Sequence, residues 1–134
     1  LICKDKKMGL IIIINLLVSI LLNIIFKWII QRDRPLEDFL IIESGYSFPS
    51  GHSMVSMAYY GLIIYFIYKK VEDKRVRNVL MILIGLLILA IGFSRIYLGV
   101  HFASDVIGGF LISIIYLVCA IKLLNLKYYK KECD

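Results

Sequence analysis

The sequence predicts an all-α integral membrane protein, a helical bundle with four transmembrane helices. Of its 134 residues, 60% are hydrophobic, which exceeds the share of about half that is typical of soluble domains. The mean hydropathy is correspondingly high, at +0.84. Four apolar runs, about residues 8–30, 53–68, 78–98 and 102–124, approach or exceed the roughly 17 to 25 residues that a helix needs to cross a bilayer. Residues 1–134 therefore form one transmembrane domain.

The first run, which extends from Met8 to Phe26, remains in the mature protein. It is longer than the roughly 7 to 15 apolar residues of a signal peptide, and no small-residue cleavage site follows it. Lys27 and Arg34 come next, so a continuing helix places both on one face, and Pro35 ends that helix at or just before Arg34. The two cations can bind one ligand together. Alternatively, Lys27 extends to the membrane surface and Arg34 is a solvated loop charge.

The start of the second helix has the features of an anion-binding site. In the stretch FPSGHSM, residues 48–54, Pro49 and Gly51 mark a turn, and Ser50 is a favoured N-cap residue. The backbone amides of Ser50, Gly51 and His52 then face outward at the positive end of a helix dipole, where phosphate binds readily. An ordinary capped helix start with an exposed histidine fits the same residues.

The turn between the third and fourth helices keeps three ionisable side chains. In SRIYLGVHFASD, residues 94–105, His101 and Asp105 are one helical turn apart, so the carboxylate can accept a hydrogen bond from one imidazole nitrogen. The other nitrogen is then free to act as a nucleophile. Arg95 lies across the turn and can hold a phosphoryl group under attack. Such groups are costly at the rim of a membrane bundle unless they are paired or functional, so this turn predicts a reactive site.

The basic residues predict the orientation of the bundle. The chain carries 16 Lys and Arg against 10 Asp and Glu. Twelve of the 16 precede the first helix, separate the second from the third, or follow the fourth: Lys4, Lys6, Lys7, Lys69, Lys70, Lys74, Arg75, Arg77, Lys122, Lys127, Lys130 and Lys131. With four spans these places share one side of the membrane, which the positive-inside rule makes cytoplasmic. The other four are Lys27, Arg32, Arg34 and Arg95, on the outer side with both histidines. This pattern favours membrane lipids, and not nucleic acid, as partners.

Together these motifs resemble the three-part signature of the type 2 phosphatidic acid phosphatase superfamily. The matching positions are Lys27, six further residues, Arg34 and Pro35; then Pro49, Ser50, Gly51 and His52; then Ser94 and Arg95, five further residues, His101, three more and Asp105. The order and every defining position match, and the resemblance covers nearly the whole chain. Family members commonly have six spans, so the four helices resemble the last four. Because the chain begins with Leu1, we expect that an N-terminal part is missing.

The resemblance implies a role for each matched residue. His101 would be the nucleophile that forms a phosphohistidine, Asp105 its orienting partner and His52 the general acid that protonates the leaving group. The residues that would hold the phosphoryl oxygens are Lys27, Arg34, Ser50, Gly51 and Arg95. These roles agree with the physical interpretation, in which cations stabilise charge on the transferring group and a covalent route splits the barrier.

We therefore predict a membrane phosphatase that acts at the outer membrane–water boundary on a lipid phosphate or diphosphate. A polyprenyl diphosphate, phosphatidate and phosphatidylglycerophosphate all remain open as the substrate, as does the oligomeric state. No metal and no other cofactor is implied, because no nucleotide loop or metal-ligand cluster is present and both histidines are already used. Three scattered cysteines, Cys3, Cys119 and Cys133, predict neither a disulfide framework nor a zinc site. The bias to lysine and isoleucine is typical of an AT-rich genome and favours a bacterial source. We therefore predict a location in the bacterial cell membrane.

Two other classes of protein fit part of the pattern. A vanadate-dependent haloperoxidase shares the oxyanion pocket of the resembling superfamily, but those enzymes are soluble and this chain has four apolar runs. A non-catalytic transporter or channel would use His52, His101 and Asp105 as an ion or proton path. Transporters more often place such groups near the bilayer midplane, whereas here they cluster at one rim.

The predicted orientation can be tested by labelling single cysteines in a variant whose native cysteines are replaced. We expect Glu37→Cys and Asp38→Cys to react with a membrane-impermeant thiol reagent on intact cells, because both follow the first helix on the outer side. Asp73→Cys, between the second and third helices, should react only after the membrane is permeabilised. The opposite labelling pattern would show that the orientation is wrong.

Overall fold

Four long helices follow one another along the chain: α1 (Ile2–Ile30), α2 (Gly51–Lys70), α3 (Lys74–Tyr97) and α4 (Ala103–Glu132). This computed structural model describes residues 2–35 and 43–132, with side chains for 7–35 and 43–125, and contains no strand within those ranges. The predicted all-α fold is confirmed. Glu37, Asp38 and Cys133 lie outside the described residues.

Helix α3 begins before its apolar run because a capping side chain, and not hydropathy, sets its start. At the start of α3, the Asp73 side chain accepts hydrogen bonds from the amides of Arg75 (2.7 Å) and Val76 (3.1 Å), which satisfies two of the free donors of the first turn. At the start of α2, Ser50 occupies the N-cap position, but its side chain makes no capping hydrogen bond. Its hydroxyl instead accepts from the Ser53 hydroxyl at 3.0 Å.

Helix α2 is central, in contact with α1, α3 and α4. Its small residues permit close approach: a Cβ atom on Gly61 would lie 2.6 Å from the side chain of Leu117 in α4. Polar side chains also join the helices, since Asn15 of α1 donates to the Ala58 carbonyl (2.8 Å) and Ser113 of α4 donates to the Met54 carbonyl (2.7 Å). Such small and polar contacts are how helices associate in a bilayer, where apolar burial gives little drive.

Within the part of the chain that the structure describes, three helices are long and apolar enough to span a membrane, over Lys7–Ile30, Lys74–Tyr97 and Ala103–Asn125. Their outer faces carry large apolar side chains such as Leu17, Ile82 and Ile115, which are 62%, 62% and 66% exposed. Helix α2, which contains the predicted run 53–68, does not meet this criterion. Its neighbours shield it on three sides, so much of its surface needs to match other helices and not lipid. The apolar outer faces are those of an integral membrane protein, and α2 is at the centre of its helices.

Candidate active site

All predicted site residues lie at the end of the bundle where α1 and α3 end and α2 and α4 begin. Lys27 is in the last turn of α1, and Arg95 is in the last turn of α3. His52 is exposed in the first turn of α2, and His101 is buried in the turn before α4. Asp105 is in the first turn of α4. The other end of the bundle carries the basic turn between α2 and α3.

Arg34 reaches the site by a route that differs from the predicted one. Helix α1 ends at Ile30, Gln31 has a positive φ of 48°, and residues 31–35 are not helical. The expectation that Lys27 and Arg34 share one face of a continuous helix is therefore wrong. The chain turns after Ile30, and Arg34 then hydrogen-bonds to the carbonyls of Gly45 (2.9 Å), Val100 (2.9 Å) and Ser44 (3.3 Å). These carbonyls hold its guanidinium in the pocket.

His101 and Asp105 face each other as predicted, but at a longer distance. Asp105 Oδ2 lies 3.6 Å from His101 Nδ1, which exceeds the length of a hydrogen bond, and Nδ1 has no hydrogen-bond partner among the described residues. The same Oδ2 accepts from the Phe102 amide at 2.9 Å. A small shift of the imidazole would bring these two atoms within hydrogen-bonding distance.

Arg32 is a site residue that we did not single out. Its Nη1 lies 2.9 Å from Asp105 Oδ1 and 2.6 Å from the Ser104 hydroxyl, and its guanidinium stacks 4.2 Å from the centre of the Phe102 ring. Asp105 is fully buried, so this charge pair compensates a carboxylate that would otherwise be costly. The available signal was its place two residues before Arg34, in the same outer segment of the sequence.

Contrary to our expectation, the backbone amide of Ser50 is not available to a ligand. It donates to the backbone carbonyl of Asp105 at 3.1 Å, which joins the start of α2 to the start of α4. The close approach depends on Gly109, where a Cβ atom would lie 3.0 Å from the Ser50 carbonyl. Gly51 and His52 follow in the first turn, where amides have no partner within the helix. The predicted amide site is thus smaller by one donor.

The pocket also contains a carboxylate, from Glu43, that we did not single out. Its Oε2 lies 2.8 Å from Arg34 Nη1 and 3.8 Å from His101 Nε2, and its Oε1 lies 4.0 Å from Arg95 Nη1. Lys27 donates a hydrogen bond to the carbonyl of Tyr46 nearby. Sequence spacing could not predict the contacts of Glu43. This residue lies in a loop, and only folding brings it next to Arg34, Arg95 and His101.

The imidazole of His101 is held in its neutral form. Burial, together with the positive charges of Arg34 and Lys27, lowers the pKa of His101 to about 4, against the opposing effect of Asp105 and Glu43. At neutral pH the contact with Asp105 therefore joins a neutral ring to a carboxylate and is not an ion pair. A neutral imidazole has a free lone pair, which is what nucleophilic attack requires.

The titration of His101 can be measured directly in His52→Gln, which leaves it as the only histidine of the chain. We expect the imidazole NMR signals of the labelled protein to titrate near pH 4, because the folded pKa lies below the ordinary value near 6.5. The ring would then be neutral above that pH and protonated only below it. A midpoint at or above 6.5 would contradict the electrostatic analysis, and Arg34→Gln should move the midpoint upward.

Comparisons with known proteins show which family and which solved fold the chain resembles. The family model of the PAP2 superfamily matches residues 8–129. The chain is 44% identical over 91 residues to phosphatidylglycerophosphatase B of Bacillus subtilis (67% of this chain, 45% of that protein). It is 28% identical over 116 residues to an undecaprenyl-diphosphatase of Sulfolobus acidocaldarius (81% and 52%).

A solved structure is also similar. The crystal structure of a transmembrane PAP2 type phosphatidylglycerolphosphate phosphatase from Bacillus subtilis aligns with a TM-score of 0.78 and 34% identity, over 94% of this chain and 60% of that one. The chain spans about half the length of the two curated relatives named above.

Proposed function

The chain belongs to the PAP2 superfamily, and from this premise we propose that it hydrolyses a lipid phosphate at the membrane–water boundary. Phosphatidylglycerophosphate is the first substrate to test, because a similar curated protein and a similar solved structure are both named for it. A polyprenyl diphosphate is the second, named for a more distant relative. The observation that carries the proposal is the position of His101, which has the buried carboxylate of Asp105 3.6 Å from Nδ1 and, on its Nε2 side, the pocket that Arg34 and Arg95 border.

In the proposed reaction, His101 Nε2 attacks the phosphorus of the terminal phosphate. The new P–N bond forms as the P–O bond to the lipid breaks, and the electron pair leaves with the lipid oxygen. His52 donates the proton that this oxygen needs. As His101 becomes positively charged, Asp105 accepts a hydrogen bond from Nδ1–H and stabilises the ring. Water then attacks the phosphohistidine, returns a proton to His52 and releases inorganic phosphate.

The phosphoryl oxygens would be bound by Lys27, Arg34 and Arg95. Cations at these positions stabilise the charge that spreads over the equatorial oxygens in the transition state. Gly51 would add its backbone amide. Ser50 would contribute through its hydroxyl hydrogen, which is free because the Ser50 oxygen accepts its bond from Ser53.

An apolar groove beside His52 supports a lipid, and not a soluble phosphate ester, as the substrate. The groove has a volume of about 610 Å³. Its lining residues belong to α1, α2 and α3 and include Leu16, Ile20, His52, Val55, Tyr59 and Ile91. From Gly51 to Tyr60 it follows α2 for about 14 Å, at 1.5 Å per residue. A lipid chain in this groove would hold its phosphate ester next to the proposed general acid.

We also propose that the site faces the outer side of a bacterial cell membrane. The basic turn between α2 and α3 lies at the opposite end of the bundle from the histidines. The positive-inside rule places such a turn in the cytoplasm. Membrane lipids are then the surroundings of the site as well as the source of its substrate.

The roles of the two histidines can be distinguished by comparing substrates that have different leaving groups. We expect His52→Ala to lose roughly 10² to 10⁴-fold in turnover of phosphatidylglycerophosphate, whose alkoxide leaving group needs a proton. The loss should be much smaller with p-nitrophenyl phosphate, whose leaving group is stable without one. His101→Ala should be inactive on both substrates, since no phosphohistidine can form. If His52→Ala is inactive on both while His101→Ala still hydrolyses the aryl ester, the two roles are reversed.

The groove is tested by the pair Leu16→Trp and Leu17→Trp on α1. Leu16 lines the groove, whereas Leu17 is 62% exposed on the outer face. The indole of Leu16→Trp should raise KM for a long-chain substrate at least about tenfold, because excluding two methylene groups costs about 1.6 kcal/mol. Turnover of p-nitrophenyl phosphate should be unchanged, and Leu17→Trp should resemble the wild type. Equal effects of both variants on the lipid would contradict a role for the groove.

A further inference from the structure

The carboxylate of Glu43 occupies the part of the pocket where a phosphoryl group would have to bind. It makes its shortest contact, 2.8 Å, with Arg34, and it lies 4.0 Å from Arg95 and 3.8 Å from His101 Nε2. Attack on phosphorus requires reacting atoms about 3 to 3.5 Å apart. A phosphoryl group at that distance from Nε2, with its oxygens on the two arginines, would overlap with the carboxylate of Glu43.

We propose that Glu43 is a specificity-determining residue, an internal anion that substrate phosphate must displace from the arginines. The proposal rests on the proposed function, in which Arg34 and Arg95 bind the phosphoryl oxygens. Binding is then an exchange of one anion for another and not the filling of an empty cationic pocket. Two anions cannot share the arginines, because like charges a few ångströms apart repel strongly where water is largely excluded.

The contacts of the arginines make such an exchange feasible. Arg34 is also bound by three backbone carbonyls, from Ser44, Gly45 and Val100, so it keeps its position when the carboxylate departs. Arg95 is only loosely associated with Glu43, at 4.0 Å. The Glu43 side chain is 25% exposed, and the residue lies outside the helices. A change of its side-chain rotamer can therefore move the carboxylate towards water.

The exchange sets a threshold that favours terminal phosphates. Most lipids around the site carry a phosphodiester, which has one negative charge. A phosphodiester would therefore replace the single charge of the Glu43 carboxylate with another single charge. A terminal phosphate monoester has a second pKa of about 6 and carries nearly two charges at neutral pH. Only the second kind of group gains enough attraction from the arginines to offset the displacement of Glu43. The residue thereby protects the pocket from the headgroups of the surrounding bilayer.

The experiment compares Glu43→Gln with Glu72→Gln, a control at the basic turn on the opposite end of the bundle. Each purified protein is titrated calorimetrically with inorganic phosphate and with dimethyl phosphate, which is a diester, at about pH 8, where phosphate is largely dianionic. Glu43→Gln should bind inorganic phosphate roughly tenfold more tightly than the wild type, equivalent to about 1.4 kcal/mol. It should also bind dimethyl phosphate measurably, whereas the wild type and Glu72→Gln should not.

Unchanged or weaker phosphate binding by Glu43→Gln would overturn the proposal. Glu43→Asp provides a second variant, since it keeps the charge but withdraws it by one methylene group, and its affinity should lie between those of wild type and Glu43→Gln. Arg34→Ala separates this inference from the proposed function. If phosphate binding to the wild type survives Arg34→Ala unchanged, the phosphate site itself is wrong; if Arg34→Ala abolishes binding but Glu43→Gln leaves it unaltered, only the role of Glu43 is wrong.

Discussion

The buried carboxylate of Asp105 is the group on which the arrangement of the site depends. A buried charge is costly unless it is paired and hydrogen-bonded, and Asp105 is fully buried. It meets this requirement with Arg32 and with the amide of Phe102, while its backbone carbonyl accepts from Ser50. These contacts join the segment after α1 to the starts of α2 and α4. The contacts of this one residue therefore determine how the segments that carry His52 and His101 are positioned relative to each other.

The electrostatics of the pocket balance two opposing demands. A phosphatase of the proposed kind needs several cations close together, yet cations repel one another and raise the cost of folding when they are partly buried. Glu43 offsets the charges of Arg34 and Arg95 in the substrate-free protein. Burial and the charges of Arg34 and Lys27 lower the pKa of His101, so Arg34 would both attract the phosphate and preserve the lone pair that would attack it.

The sequence by itself determined the helices and the motifs of the site. Length and hydropathy are local properties, so apolar runs predicted all four helices, and at the end of the bundle that carries the histidines they matched the helix ends to within two residues. The basic residues that flank the 71–73 turn marked the other end of the bundle. His101 and Asp105 were predicted to face each other because they are one helical turn apart, and His52 was predicted to lie beside the ligand because it follows a helix N-cap. Helix boundaries were less accurate, because capping side chains such as Asp73 extend a helix beyond its apolar part.

The tertiary structure decided which distant residues meet. Glu43 enters the pocket and Arg32 pairs with Asp105 across 73 positions of sequence, and no local pattern encodes contacts of that kind. The end of α1 at Ile30 redirected Arg34, and the Asp105 carbonyl took the amide of Ser50. The central position of α2 also depends on packing. A helix can carry polar side chains in a bilayer where its neighbours shield it from lipid. Periodicity and spacing act within one element, whereas these features depend on how the elements pack.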